Sequence, residues 1–286
     1  MMPYPRHLRA TSNPIRAVTR LARTVVWTAL AVSISSGASA APLTFTDSGA
    51  LAADIQGTVD AFRTTLGALN ANLPGSRGSG RREVNWDGVP NQFASPNGFP
   101  PDFFNVNSPR GSVYSTPGSG FEVSANLASG QPLEFDNLEP GISADFTPFS
   151  PQRLFTAVGS TITDVHFFVP GTTAPAFVTG FGAVFTGVAV ANTTFIQLFD
   201  RQDDLIASVY APAAGAGSLS FAGFFDTDAR IGRVRITSGE VPLGSRLPGD
   251  RVVMDDFIYA EPVPEPATLT LLGAAVAAVV ARRRRH

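Results

Sequence analysis

Asp255 and Asp256 are the side chains whose type and spacing first suggest chemistry. They interrupt an apolar run, Val252-Val253-Met254-Asp255-Asp256-Phe257-Ile258-Tyr259. Consecutive side chains of a β-strand point to opposite faces. Asp255 then shares a face with Val253, Phe257 and Tyr259, and Asp256 with Val252, Met254 and Ile258. Both faces are otherwise apolar, so at least one carboxylate is expected at a buried edge. A buried carboxylate has to find an arginine, backbone donors or a metal ion. Arg82, Arg233 and Arg235 are the expected arginine partners, since guanidinium is the usual match for a carboxylate. A structural Ca²⁺ held by Asp255 and Asp256 is the alternative, because calcium favours carboxylate oxygens.

Asn85-Trp86-Asp87 forms the second constellation. Saccharide sites pair an apolar platform with polar groups that fix the hydroxyls. Trp86 supplies a platform and Asn85 and Asp87 supply the polar groups. The competing reading is that Trp86 anchors its loop to the core, as large aromatics commonly do.

Other chemistries are excluded or left without candidates. The chain has no cysteine, so thiol nucleophiles, thiolate metal sites and disulfides are absent. Of three histidines, His7 and His286 lie in the terminal segments, which leaves His166. Three-histidine zinc catalysis is therefore excluded by count. A Ser-His-Asp triad would have to use His166, and no G-x-S-x-G elbow accompanies it. Strand alternation places His166 opposite Val165 and Phe167, toward solvent. The run Asp200-Arg201-Gln202-Asp203-Asp204 lacks the glycine and glutamate of an EF-hand loop and reads as a hairpin turn. Two carboxylates suffice for glycoside hydrolysis, but no pair is singled out for it. No catalytic residue is named, and the expectation is a protein that is not an enzyme. A carboxylate-dependent glycan-active enzyme is the runner-up.

The elements that position these residues read as all-β, a two-sheet β-sandwich or jelly roll. Segments 121–125, 153–158, 163–169, 181–190, 194–200, 205–210, 219–225, 231–237 and 251–260 are rich in Val, Ile, Phe and Thr. Gly, Pro, Asn and Asp punctuate the gaps. In 231–237, Val234 and Ile236 face one way and Arg233 and Arg235 the other. One amphipathic helix is expected over 48–70, with Leu51, Ile55, Val59, Phe62, Leu66 and Leu69 on its apolar face and Ser48 or Asp47 as cap. Residues 74–120 read as a long Gly/Pro/Asn/Ser-rich loop anchored by aromatics.

The termini carry targeting signals. Arg6, Arg9, Arg16, Arg20 and Arg23 precede a short apolar stretch, and Ala38-Ser39-Ala40 offers the small-x-small site of signal peptidase. Residues 1–40 are expected to be removed as a signal peptide. The other end reads Pro264-Glu265-Pro266, then an uncharged apolar run over 267–281, then Arg282, Arg283, Arg284 and Arg285. The apolar run is short for a bilayer span, and snorkelling arginines extend it and hold that end in the cytoplasm. From Asp47 through Glu265, 12 arginines stand against 23 acidic side chains, a net charge of −11. That charge disfavours binding of nucleic acid through its phosphates. The expected layout is a signal peptide (1–40), a helical segment (41–75), a sandwich domain (76–262) and a C-terminal signal (263–286).

The C-terminal order of Pro-Glu-Pro, apolar helix and arginine cluster resembles the PEP-CTERM sorting signal of Gram-negative bacteria. The resemblance implies export and processing near Pro264-Glu265-Pro266 by the membrane protease-transpeptidase exosortase. Release or re-attachment at the cell surface would follow, in species that make exopolysaccharide. The mature region also resembles an uncharacterised family of secreted bacterial proteins, through VNWDGVP, DFFNVNSPRG and VVMDDFIYAEP. That family implies no activity. The expected role is adhesive or structural binding of extracellular polysaccharide; a matrix protein with no small ligand is the third reading.

Overall fold

The computed structural model describes residues 41–264. The residues of the expected signal peptide, Ala38 and Ala40 among them, lie outside that range. So do Glu265, Pro266, the apolar run and the four terminal arginines.

The chain opens with β1 (Leu43–Gly49) and helix α1 (Ala52–Leu66), followed by β2 (Arg81–Val84), the short helix α2 (Phe103–Val106) and β3 (Ser112–Ser115). Then come β4 (Gly120–Val123), β5 (Phe155–Val158), β6 (Ile162–Phe167), β7 (Ala176–Phe177) and β8 (Gly180–Thr186). The remaining strands are β9 (Phe195–Phe199), β10 (Leu205–Tyr210), β11 (Leu219–Phe225), β12 (Arg233–Thr237), β13 (Val253–Ala260) and β14 (Val263–Pro264). The larger sheet runs β1-β11-β8-β13-β5-β4, with β2 also paired to β13. The smaller runs β10-β9-β12-β6-β3, and β14 pairs with β7 apart from both. All the strand pairings are antiparallel. The fold is mostly β, as the strand-by-strand reading expects.

The two sheets share one core. Val165 and Phe167 of β6, Ile196 and Leu198 of β9, and Val234 and Ile236 of β12 join Phe181, Phe185, Phe257 and Tyr259 of the larger sheet in a single buried cluster. Phe167 lies 6.3 Å from Phe181 and 5.4 Å from Tyr259, ring centre to ring centre. On β12 the alternation holds: Val234 and Ile236 are buried, and Arg233 and Arg235 point out to Asp164 on β6, at 2.8 Å each. Burial alone would raise the Asp164 carboxyl, but its bonds to Arg235 and Arg233 outweigh it and hold the group below the ordinary carboxylate range.

The central strands β8 and β13 are buried along their whole length, which requires cover on both faces. Helix α1 supplies the second cover. It buries Ile55, Val59, Phe62 and Leu66, spaced by four, three and four residues. Phe62 lands on backbone that glycine has bared: a Cβ on Gly182 would sit 2.9 Å from Phe62 and 2.8 Å from Phe221. The helix is shorter than expected. Leu51 and Leu69 fall beyond its ends and are 63% and 57% exposed. Its first turn is closed by the Asp54 carboxylate, which accepts the Leu51 N–H at 2.9 Å; Asp47 instead accepts from Ser48 N–H and the Thr58 hydroxyl. Gly67, at φ 97°, ends the helix with its N–H on the carbonyls of Arg63 and Thr64.

Five strands arise where none was expected: β1, β2, β3 and the two-residue β7 and β14. β1 forms one edge of the larger sheet, while β2 and β3 order part of the expected long loop. β2 carries two arginines and a glutamate and β3 two serines, so neither shows an apolar alternation.

Candidate functional site

The site begins with a fork beside β13. Along one flank, β13 pairs continuously with β8 except at one point: Met254 faces Phe185 and Phe257 faces Ala183, so Asp255 and Asp256 together oppose Val184. This is a β-bulge, and it breaks strict alternation. Along the other flank β5 pairs only at Met254, and β2 only from Phe257 to Ala260. The two neighbours part at Asp255 and Asp256, leaving main-chain groups to be satisfied by other means.

Trp86 fills the fork. The chain leaves β2 through Asn85 and turns sharply, with Trp86 at φ 62° and the Val89 N–H donating to the Trp86 carbonyl at 2.9 Å. A bulky residue at positive φ costs roughly 1–3 kcal/mol and needs support from its surroundings. Here the support is burial. The indole is 0% exposed, stacks on Phe155 with ring centres 4.0 Å apart, and meets Phe99, Phe104, Tyr114 and Phe257 edge-on or tilted. Its Nε1–H donates to the Asp255 carbonyl at 2.6 Å, taking the place of a strand bond. The expected saccharide platform is therefore corrected: no face of Trp86 is open to a ligand, and the loop-anchoring alternative describes its place.

Asn85 and Asp87 leave the same turn in other directions. Asn85 is exposed, whereas Asp87 turns toward the loop after Phe149. Asp87 Oδ1 accepts the amides of Gln152 (2.6 Å) and Arg153 (2.9 Å), and burial raises its carboxyl.

Asp255 and Asp256 converge on Ser150. The bulge brings Asp256 Oδ1 to 2.8 Å and Asp255 Oδ1 to 3.1 Å from the Ser150 hydroxyl, and Asp87 Oδ2 lies 3.3 Å from it. A hydroxyl has one proton to donate. Two adjoining buried carboxylates cannot both ionise cheaply, so the pair holds a shared proton. Burial first, then the Asp256 charge, pushes Asp255 well up; burial pushes Asp256 up to about 6. Asp255 Oδ2 also accepts the amides of Phe149 (2.6 Å) and Ser150 (3.2 Å). Asp256 Oδ2 takes a 3.2 Å ion pair from Arg63, which also bridges Glu83 and Asp60.

The expected arginine partners are corrected accordingly. Arg233 and Arg235 serve Asp164, and Arg82 serves Glu261 at the far end of β13. The partner of Asp256 comes from α1, 193 positions away in sequence. Nothing in the local sequence signals that pairing. For calcium, the oxygens of Asp255 and Asp256 already face amide, hydroxyl and guanidinium donors. Among the described residues, no group of three or more acidic or histidine side chains is arranged to hold a metal ion.

Above the fork lies a groove of about 460 Å³. Gln56 and Arg63 of α1 form one wall with Leu69, Asn70 and Asn72; Glu83, Asn85 and Arg110 form another; Phe149, Ser150, Pro151 and Asp256 close it. Arg110 is braced by the Glu83 carbonyl at 2.8 Å and lies over the Phe104 ring at 4.7 Å. The groove joins guanidinium and amide donors to two carboxylates, Glu83 and Asp256, and a few apolar surfaces. It brings together Asn85 and Asp256 from the two sequence constellations; Asp87 lines a neighbouring cleft with Asn126, Gln152 and Arg153. Arg63, Asn72 and Arg110 are groove residues the sequence does not point to.

His166 sits elsewhere, half-buried on β6, with Nε2 3.1 Å from the Ser115 hydroxyl and its ring pulled down in pKa chiefly by burial. Residues 200–204 form the expected turn between β9 and β10, with Asp200 Oδ1 accepting the amides of Gln202 and Asp204.

At the C-terminal edge, Pro264 is exposed and ends the described chain. The model of the PEP-CTERM protein-sorting motif matches residues 262–285. No curated protein and no solved structure gives a significant match. Pro264, Glu265, Pro266 and the arginines Arg282 to Arg285 all fall within the matched segment, so the chain carries the PEP-CTERM sorting motif, which indicates an exported protein processed by exosortase.

Proposed function

We propose that this protein works at the cell surface of a Gram-negative bacterium or in its extracellular matrix, where it binds extracellular polysaccharide in an adhesive or structural role and is not an enzyme. The observation that carries this reading is the amide-rich groove at Asn85. Asn72 and Asn85 offer paired donors and acceptors suited to hydroxyls, the Asn70 and Gln56 amides add their carbonyl oxygens, and Phe149, Leu69 and Pro151 offer apolar contact. Export by exosortase supports a ligand outside the cell. Calcium is not part of the reading, since the fork carboxylates already have donors.

The test is retention of the mature domain on the host's own exopolysaccharide, in calcium and in chelator. Retention equal in both buffers is expected. It should fall at least tenfold in Asn72→Ala/Asn85→Ala, with an unchanged melting temperature. Failure of the parent domain to bind would overturn the reading.

One observation favours the glycan-active alternative: Asp256, with a pKa near 6, borders the groove. Its neighbour Asp255 is 0% exposed and occupied by amides, so it is poorly placed to attack a sugar or activate water. Release of reducing ends by the parent, lost in Asp256→Asn, would make the protein an enzyme.

A further inference from the structure

The sorting motif starts inside the folded domain. Residue 262 opens the matched segment, only two positions after the end of β13. Pro262 is buried, and a Cβ on Gly111 would come within 3.1 Å of its ring. Val263 and Pro264 form β14, pairing antiparallel with Phe177 and Ala176 of β7. Both β7 residues are buried, and Arg230 covers the Phe177 ring at 4.6 Å. Immediately before this lies a clamp. The Glu261 carboxylate accepts from Arg82 Nη2 (2.8 Å), Arg82 Nε (2.5 Å), Asn70 Nδ2 (2.8 Å) and the Arg77 amide (3.0 Å), and its own N–H donates to the Gly80 carbonyl.

A partner that reads an extended peptide uses the peptide's backbone edge and alternate side chains. β7 occupies one of the two backbone edges of β14, and an enzyme cleft that encloses an extended peptide needs both. The first proline of Pro-Glu-Pro therefore cannot be paired with β7 and read by a processing enzyme at the same time. From Glu261 to Pro264 the chain spans about 10 Å when extended, which leaves no slack for Pro264 itself to reach outward while β14 stays docked.

We propose that β14 is a latch: exosortase engages the motif only after β14 has lifted from β7, and Glu261 stops the opening before it reaches β13. Processing then depends on the fraction of molecules with the latch open, as binding to any partly populated competent state does. Two residue pairs make a low-energy local opening, whereas the buried clamp belongs to the stable body. This inference rests on the sorting motif alone and is independent of the saccharide reading.

The test uses the full chain in a host with its own exosortase, following loss of the tail by the mass of the exported protein. The chain has no cysteine, so Phe177→Cys/Val263→Cys introduces a single disulfide. Antiparallel partners have Cα atoms about 4.5–5.5 Å apart, within disulfide range. The cross-linked form is expected to be processed at least tenfold more slowly, recovering on reduction, while each single variant matches the parent within twofold. Inserting six Gly/Ser residues between Glu261 and Pro262 is expected to speed processing severalfold. Processing of the cross-linked form at the parent rate would overturn the latch. An insertion variant no faster than the parent would do the same, as would a staple that reduction fails to rescue.

Discussion

Trp86→Ala should unfold the fork rather than empty a binding site. The indole removes roughly 150–250 Å² from water. At about 25 cal/mol per Å² that burial is worth about 4–6 kcal/mol, in line with the 3–5 kcal/mol usual for truncating a buried aromatic. The lost Nε1–H leaves the Asp255 carbonyl without its donor, adding about 1 kcal/mol. A domain of ordinary stability holds about 5–15 kcal/mol in all, so the variant should be marginal. With a urea m-value of about 2–3 kcal/mol/M, its midpoint should drop by about 2 M. Trp86→Phe keeps a ring against Phe155 but loses the donor, and should lose about 1–2 kcal/mol. Far-UV circular dichroism is the right probe, because the variants lack the only tryptophan among the described residues; the other, Trp27, precedes Ala40. The parent's fluorescence offers an independent check: emission should be blue-shifted, resistant to aqueous quenchers and unmoved by saccharide. If Trp86→Ala melted like the parent and lost only saccharide retention, the indole would have to face the ligand, and the fork as described would be wrong.

The carboxylate pair makes stability pH-dependent in an unusual sense. Asp256 is pushed up to about 6 and Asp255 well above the ordinary carboxylate range, chiefly by burial, so the folded state keeps protons that the unfolded chain, near pH 3.9, releases. The Asp256 contribution is full below about pH 4 and is lost as pH rises through about 6. Between pH 4 and 7 the parent should lose about 3 kcal/mol relative to Asp256→Asn in urea titrations; parallel curves for the two proteins would refute the shared proton. Two glycines should answer oppositely to alanine. Gly182→Ala drives a methyl into Phe62 and Phe221 and should lower stability by about 1–3 kcal/mol, whereas Gly57→Ala, in the interior of α1 with open space around it, should raise it by about 0.5–1 kcal/mol. Thermal melts of both settle the matter, and equal effects would contradict the packing of α1 on the sheet.

Strands marked by an apolar run or by a clean alternation were legible in the sequence. β11 falls at the expected bounds, and β12 shows the expected alternation because one side meets the core and the other meets Asp164. β2 was not legible, because its two arginines serve Glu83 and Glu261 and its place depends on pairing with a strand far along the chain. The fork carries the same lesson. Alternation puts Asp255 and Asp256 on opposite faces, and a single extra residue in β13 brings both to Ser150. Trp86 was recognisable as important from its type, but its direction was set by a backbone turn at positive φ, which Asn-Trp-Asp does not encode by itself.

The exit of the chain also sets how the domain bears load. A pull on Pro264 meets three resistances in series. The two pairs of β14 come first, and a ribbon that short peels one pair at a time. Next comes Glu261, with four donors on one carboxylate. Last is β13, eight residues long and held on both flanks, where the bonds must shear together. Tension arriving through the tail is thus spent first on a weak, re-formable ribbon, and the core is strained only after the ribbon has yielded. A molecule tethered by this end to a moving surface carries its own mechanical fuse.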